Sequence, residues 1–528
     1  MADTRTRKAK DRLLAVAKGL QPQDSMPKDF IERLTACLVA DPLLPRPNPS
    51  ISLWQEPPHP TLATVQSTNL PSYADFVVIG SGITGCSVTK GLLENEVLGS
   101  GDNPSQVVVL EARNLCSGAT GRNGGQLVSP VGHTFAGLVE RFGTATAMEM
   151  ARFSLMNIER VMDMVRDMGP EIQTESEIRD LVKVMVPETE FAWLESLSSL
   201  EEFREAFPEH RYLHKVFEQK ELIKEWNVKV GFGTIVHKAG AIWPYRLITG
   251  IFESLLGQYP NRLSIETNTP VTAISQSSSP QEETANTTYK YKITTPRGTV
   301  HAKQVIHCTN ANASHLLKPL RGKMYPYRGT MSVQKAGKHL ENVGNSASWS
   351  LLNKPTLDHN TGLYDGGLYY LQQNGLTGDI WVGGGSSSIF GTLSSDDTSV
   401  PGQAMKDLAR LLPNYFFKGW PQGEEPEIRG MWTGLQCHTS DGLPLIGKIP
   451  GSASGRESSD AEWICGGYNG YGMDKAWLSG EALVKMIAGE GVPEWLPKVF
   501  LITETRFEQA LTLEKALDRW ISLARESK

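Results

Sequence analysis

Between Tyr73 and Leu110 the hydrophobic pattern changes period twice. Phe76-Val77-Val78-Ile79 is an unbroken apolar run, as expected of a strand buried on both faces in a parallel sheet. From Ile83 to about Val97 the spacing predicts a helix, and a second run, Val107-Val108-Val109-Leu110, predicts a neighbouring strand. Further on, Ala151, Leu155, Ile158, Met162 and Val165 recur at steps of four and three, as do Trp193, Leu197, Leu200, Phe203 and Phe207. Both stretches predict amphipathic helices with one buried face. The methionines of this region (Met148, Met150, Met156, Met162, Met164, Met168) read as core filling rather than a binding stripe.

Strand patterns follow at 262–267, 271–276, 289–295 and 300–308, with a second strand group between Tyr325 and Gly385. The polar run 275–288 predicts a hairpin loop too poor in apolar residues to order itself. Leu13, Leu14, Ala17 and Leu20 form one short helical stripe, Ile31, Leu34 and Leu38 another, and Leu513, Leu517, Ile521 and Ala524 a closing helix. Eight prolines between Asp41 and Pro71 exclude helix and central strand there, leaving an extended strap that Trp54 is expected to pin down.

Composition narrows the classes. At 528 residues, two connected domains are expected. Net charge is −6 and the basic residues are dispersed, which argues against nucleic acid. The six cysteines (Cys37, Cys86, Cys116, Cys308, Cys437, Cys465) show no C-x-x-C spacing, so reduced thiols are expected rather than disulfides, and no ligand cluster suggests a metal. No apolar run of about 18 residues predicts a membrane span. The first 20 residues are basic but lack the apolar core of a secretory signal, and Glu526-Ser527-Lys528 is not a complete peroxisomal address. A cytoplasmic location is the default, with mitochondrial or peroxisomal targeting left open.

The chemistry concentrates at Gly80-Ser81-Gly82-Ile83-Thr84-Gly85, between the first run and its helix. Gly80 suits a tight turn, Gly82 a close backbone approach to a pyrophosphate, and Gly85 close packing of helix on strand. The helix start aims its amides and dipole at the phosphates. Glu111, 31 residues beyond Gly80, ends the second run and is placed to accept hydrogen bonds from ribose hydroxyls. The usual gap is about 20 residues; an insert at 99–105 accounts for the excess. Coincidental glycines in an ordinary turn are the bland alternative. This fingerprint alone separates neither FAD from NAD.

The next segment, Cys116-Ser117-Gly118-Ala119-Thr120-Gly121-Arg122-Asn123-Gly124-Gly125-Gln126-Leu127, suits a loop beneath a bulky ring system. Together these stretches resemble the FAD-dependent amino-acid and amine oxidase superfamily, which includes D-amino-acid oxidase, glycine oxidase, monomeric sarcosine oxidase and γ-glutamylputrescine oxidase. The wording from Ser117 to Gly125 looks most like the γ-glutamylputrescine oxidase branch and its fungal relatives. The resemblance continues through Val271, the 304–311 strand with Asn310, the 325–329 segment with Arg328, the 439–447 segment with Asp441, and Gly466 to Met473. It implies a Rossmann-like FAD-binding domain interleaved with an α+β substrate domain on a mixed or antiparallel sheet. The implied division is 1–72 as an extension; 73–145, 241–320 and 429–490 as FAD-binding; 146–240 and 321–428 as substrate domain; and 491–528 as a C-terminal helix. It further implies cofactor contacts at Ala112, Arg113, Gly467, Asn469, Gly470, Tyr471, Gly472 and Met473, besides the residues already named. The helix opened by Gly470 to Lys475 is expected to stabilise negative charge on the reduced ring.

The activity implied is oxidation of a C–N bond in an amine or modified amino acid by hydride transfer to flavin N5, with reoxidation by O2 giving hydrogen peroxide. A dehydrogenase or tailoring enzyme acting on a non-amine metabolite, and a non-catalytic flavin-binding module, are the alternatives. Departures from the family pattern bear on the substrate. Amino-acid oxidases of this family carry a carboxylate-clamping arginine where Gln436 stands here, and Arg328 is either its replacement or a structural partner. Tyr327, Tyr370, His438, Tyr468 and Tyr471 are candidate cage or packing residues near the ring. Trp381 stands where sarcosine oxidase uses a lysine toward oxygen. Gly434 stands where that enzyme links its flavin, which leaves Cys437, Cys116 and His438 as the remaining positions to weigh for a covalent link.

Overall fold

The computed structural model describes residues 26–99, 104–276, 289–421, 423–456 and 460–526. Strand Tyr73–Ile79 lies inside an eight-stranded sheet, between Val107–Leu110 on one side and Gly298–His307 on the other. Both pairings are parallel, with Val78 opposite Val109 and Ile306. Glu462–Gly466 and Leu263–Glu266 extend the parallel core, and Leu445–Lys448 closes one edge antiparallel. Every residue of Val107–Leu110 is buried, as a strand covered on both faces requires.

Helix Ile83–Glu94 packs against helix Ala476–Ile487 through small residues. A Cβ on Gly480 would meet Ser87 Oγ at 2.5 Å, and Ser87 Oγ donates to the Trp477 carbonyl at 2.7 Å. The first helix stops at Glu94 rather than Val97. Asn95 accounts for the break: its side-chain oxygen accepts from the amides of Val97 and Leu98, starting the separate turn Glu96–Gly99.

The second sheet has nine strands. Its order runs Ile428–Thr439, Met324–Gln334, Ile380–Gly383, Leu368–Gln373, Ala347–Leu352, Arg179–Pro187, Gly233–Ala241 and Gln126–Leu127, with His214–Glu218 also paired to Gly233–Ala241. Only Ala347–Leu352 with Arg179–Pro187 is parallel. This is the mixed α/β architecture expected, a parallel sheet joined to a largely antiparallel one.

The strap from Asp41 to Pro71 holds two short turns, Leu53–Gln55 and 60–64. Trp54 fixes it: the indole N–H donates to the Asn123 carbonyl at 2.5 Å, and its ring stacks on Trp381 and meets Trp243 edge-on. Helices Lys28–Val39 and Leu513–Glu526 pack together through Phe30, Leu34, Leu38, Leu517 and Trp520, against Tyr325 of the second sheet. The helical segments 144–167 and 190–206 form as the periodicity predicts, with Met150 and Met162 in the core. The stripe from Leu13 to Leu20 and most of the polar run 275–288 lie outside the described residues. All six cysteines are unpaired. No described helix is long and apolar enough to cross a membrane.

Candidate active site

A cavity of about 760 Å³ is walled by residues of both sheets. At one end, Gly80 sits at φ +106, where a Cβ would lie 2.7 Å from the Cys308 carbonyl oxygen. Gly82 begins helix Ile83–Glu94 with no side-chain cap, and the Ile83 amide reaches across to Thr120 Oγ1 at 2.9 Å. Gly85 supports the bend from behind; a Cβ there would fall 1.9 Å from the Gly80 carbonyl oxygen. Gly80, Gly82, Ile83 and Thr84 line the cavity, and Gly85 does not.

Glu111, Ala112 and Arg113 line the same end. Glu111 is already anchored, accepting from the Ser81 amide (3.1 Å), the Ser81 hydroxyl (2.7 Å) and the Arg113 amide (3.0 Å). Each carboxylate oxygen has two lone pairs, so acceptor capacity remains for a ligand. A helix start whose first amide is met by Thr120, a glycine bend and an oriented carboxylate suit a diphosphate and its sugar, the ADP half of a dinucleotide.

Beside this end, Arg122 ties the Cys116–Leu127 loop to the second sheet. Its guanidinium donates to the Ser117 carbonyl (2.9 Å) and the Thr433 carbonyl (2.7 Å), while the Trp432 indole donates to the Arg122 carbonyl (3.0 Å). Asp397, buried between Arg113 (2.9 Å) and Arg122 (4.0 Å), offsets one of the two positive charges. Burial and the neighbouring Arg113 charge still pull Arg122 down to about 10. Asn123 donates to the Thr120 carbonyl and to Met473 Sδ, holding the loop against the segment Gly470–Met473.

The cavity wall continues through Thr120, Arg122, Asn123, Gly124, Gln126, Val271, Asn310, Arg328, Tyr370, Gln436, His438 and the run Tyr468–Met473, which includes Asn469, Gly470, Tyr471 and Gly472. Five expected cofactor residues besides Gly85 stand off it. Ser117 offers its carbonyl to Arg113 and Arg122; Gly125 (φ +63) pairs with Ile242; Leu127 is fully buried in the core. Asp441 is held in an ion pair with Arg506 (2.8 Å), and Gly467 donates to Asn310 Oδ1 (3.0 Å). They shape the wall from behind it.

The aromatic residues divide. Tyr327 stacks on His438 with centroids 4.5 Å apart, and both line the cavity, as does Tyr364. Gly124 and Gly383 make room for the Tyr370 ring; a Cβ on either would strike it within 2.7 Å. Burial pushes the Tyr370 and Tyr471 hydroxyls up to about 12 and drives His438 well below its ordinary range, so all three are neutral near pH 7. Tyr468 instead spends its hydroxyl on Thr84 (2.9 Å) and Cys465 (3.4 Å), joining helix Ile83–Glu94 to the Gly466–Met473 turn. Gln436 lies 3.4 Å from His438 Nε2. Arg328 donates to the Asp396 carbonyl (2.9 Å). Trp381 is core, stacked on Trp54, and is absent from the cavity wall. Burial raises the thiols of Cys116 and Cys437; only Cys437 reaches the wall.

Several wall residues escaped the sequence reading: Lys183, His133, His237, Asp397 and Arg519. They come from segments scattered over nearly 400 residues, and only strand register and helix packing bring them together. No group of described histidines, cysteines or carboxylates forms a metal site.

The family model described as FAD dependent oxidoreductase matches residues 75–486. Gamma-glutamylputrescine oxidoreductase of Escherichia coli (strain K12) is 24% identical over 425 residues, covering 79% of this chain and 84% of that protein. Iminodiacetate oxidase from Chelativorans sp. BNC1 superposes with a TM-score of 0.59 at 15% identity, covering 81% of this chain and 98% of the other. Glycine oxidase from Geobacillus kaustophilus gives 0.56 at 15%, covering 82% and 99%. At these identities the structural likeness establishes the fold.

Proposed function

The chain belongs to the FAD dependent oxidoreductase family, and from that premise we propose that it oxidises a C–N bond of an amine or amino-acid-like substrate and is reoxidised by O2. One observation carries this reading. A single cavity runs from the glycine bend at Gly80–Gly85 to a wall of neutral aromatic and histidine side chains on the second sheet. Gamma-glutamylputrescine oxidoreductase, glycine oxidase and iminodiacetate oxidase supply the comparison for the substrate class.

When bound, the flavin supplies the two-electron oxidation. The residues proposed to hold it are Gly80, Gly82 and Glu111 at the ADP half, and Asn123, Gly124, Gln126 and Gly470–Met473 at the ring. The Gly470–Lys475 turn leads into helix Ala476–Ile487, whose N-terminal dipole faces the turn; Asn157 Oδ1 accepts from its Leu478 amide (2.9 Å). Tyr327, Tyr364, Tyr370 and His438 exclude water and offer π faces and neutral hydrogen-bonding groups to a cationic or neutral amine. No carboxylate stands among these four.

The test is anaerobic addition of an amine and amino-acid panel to the purified holoenzyme, following the oxidised-flavin band near ~450 nm, then admission of air. Bleaching by an amine, with colour and one equivalent of peroxide returning in air, is the expected result. Bleaching by dithionite but by no amine contradicts the substrate class. Recovery with an artificial acceptor but not with air contradicts the oxidase step.

A further inference from the structure

A transverse row of polar side chains crosses the second sheet where it faces the Gly124–Leu127 loop. In register, Gln372 pairs with Ser348, Ser348 with Lys183, Lys183 with His237, and His237 with His214. Paired residues share a face, and all five are buried. Lys183 and His237 open onto the cavity.

The row is rich in donors and has no carboxylate. Lys183 Nζ donates to Gln126 Oε1 at 2.6 Å and to the Trp349 carbonyl at 2.5 Å. An ammonium has a third N–H, and no described residue accepts it. Gln126 Nε2 and Ser348 Oγ are also buried without a partner. Among the described residues, no Asp or Glu lies within ion-pair distance of Lys183. The other cavity cations are differently placed: Arg113 and Arg122 are committed to Asp397 and carbonyls, Arg328 to the Asp396 carbonyl, and Arg519 is exposed. Gln436 is uncharged.

We propose that Lys183, with Gln126 beside it on the cavity wall, is an anion-docking point that takes a carboxylate of the substrate. The reading of the cavity as the substrate's site is the premise. Burial pulls the unliganded lysine well below its usual range. The titratable groups facing it are His237 on strand Gly233–Ala241 and His133 on helix Val131–Phe142, held by burial at about 4 and about 3, with His214 beyond. Strand Ala347–Leu352 and the 124–127 loop bring none. The substrate implied is an amine carrying a carboxylate that reaches the second sheet.

The probes are benzoate and benzamide, matched in shape and differing in charge, titrated into the holoenzyme at pH 8 by calorimetry, with the flavin spectrum recorded in parallel. Benzoate is expected to bind about 10- to 100-fold more tightly than benzamide, the range of a charge-assisted hydrogen bond. Lys183→Met is expected to abolish the preference while leaving benzamide unchanged; Lys183→Arg is expected to keep it. Equal binding of the two probes by the unmodified protein overturns the inference, with no variant needed. So does a Lys183→Met protein that retains the preference, or one altered only in its flavin spectrum. Peroxide production from amines alongside equal probe binding sinks this inference alone; benzoate preference in an enzyme that no amine reduces sinks the amine-oxidation reading alone.

Discussion

His133, half-buried, sits with the buried His214 and His237, whose rings are 5.0 Å apart, and desolvation lowers the three to about 3, about 2 and about 4. In the unfolded chain each titrates near 6.5. Below that pH the unfolded state binds protons the folded state refuses, so stability present above pH 6.5 is lost as pH falls toward the folded values. Going from pH 7 to 5.5, each histidine is expected to cost about 1 kcal/mol. Denaturant melts of His237→Gln should show a pH loss smaller by that amount than the unmodified protein, and an identical loss would contradict the assignment. At this scale the sequence was legible where chemistry is local. Gly80, Gly82 and Glu111 announce themselves by spacing. Asp441 shows the limit, since its motif is present but its carboxylate pairs with Arg506. Lys183 shows the converse: nothing near it in sequence marks it, because its partners Gln126 and Trp349 arrive from other strands.

Among elements, the bend between Tyr73–Ile79 and Ile83–Glu94 has the tightest tolerance. Gly85→Ala would bring a methyl against the Gly80 carbonyl oxygen, two backbone segments with nowhere to yield. The expected cost is about 3 kcal/mol or more of stability, the upper end for overpacking, with loss of bound FAD. Gly118→Ala, with nothing within 4 Å of the added carbon, is the control and is expected to change stability by under about 0.5 kcal/mol. Equal stability of the two variants, measured by thermal unfolding with FAD content, would contradict the packing role. Elements with a strong period were readable: the apolar runs became central parallel strands, and the 144–167 and 190–206 helices formed as their spacing requires. Ends were less so. Asn95 cut the first helix short by supplying a side-chain acceptor, a competition that hydrophobic spacing does not reveal.

Across the whole molecule, one cavity links the two sheets, and the loop from Cys116 to Leu127 is the hinge of the arrangement. Its Arg122 bonds strand Ile428–Thr439, its Asn123 carbonyl receives Trp54 from the strap, and its Gln126 meets Lys183. The composition anticipated this architecture only in outline; which strand enters which sheet is decided by long-range pairing that no local pattern encodes. The cavity matters for function only if its glycine end grips the cofactor with help from Glu111, whose two oxygens are oriented by Ser81 and Arg113. Equilibrium binding of FAD to the deflavinated protein, comparing the native chain with Glu111→Gln, measures that grip directly. One FAD per chain is expected, bound about 10- to 100-fold more weakly by the variant, the value of a charge-assisted hydrogen bond. Failure of the native protein to bind FAD, or identical affinity in a well-folded variant, would contradict it.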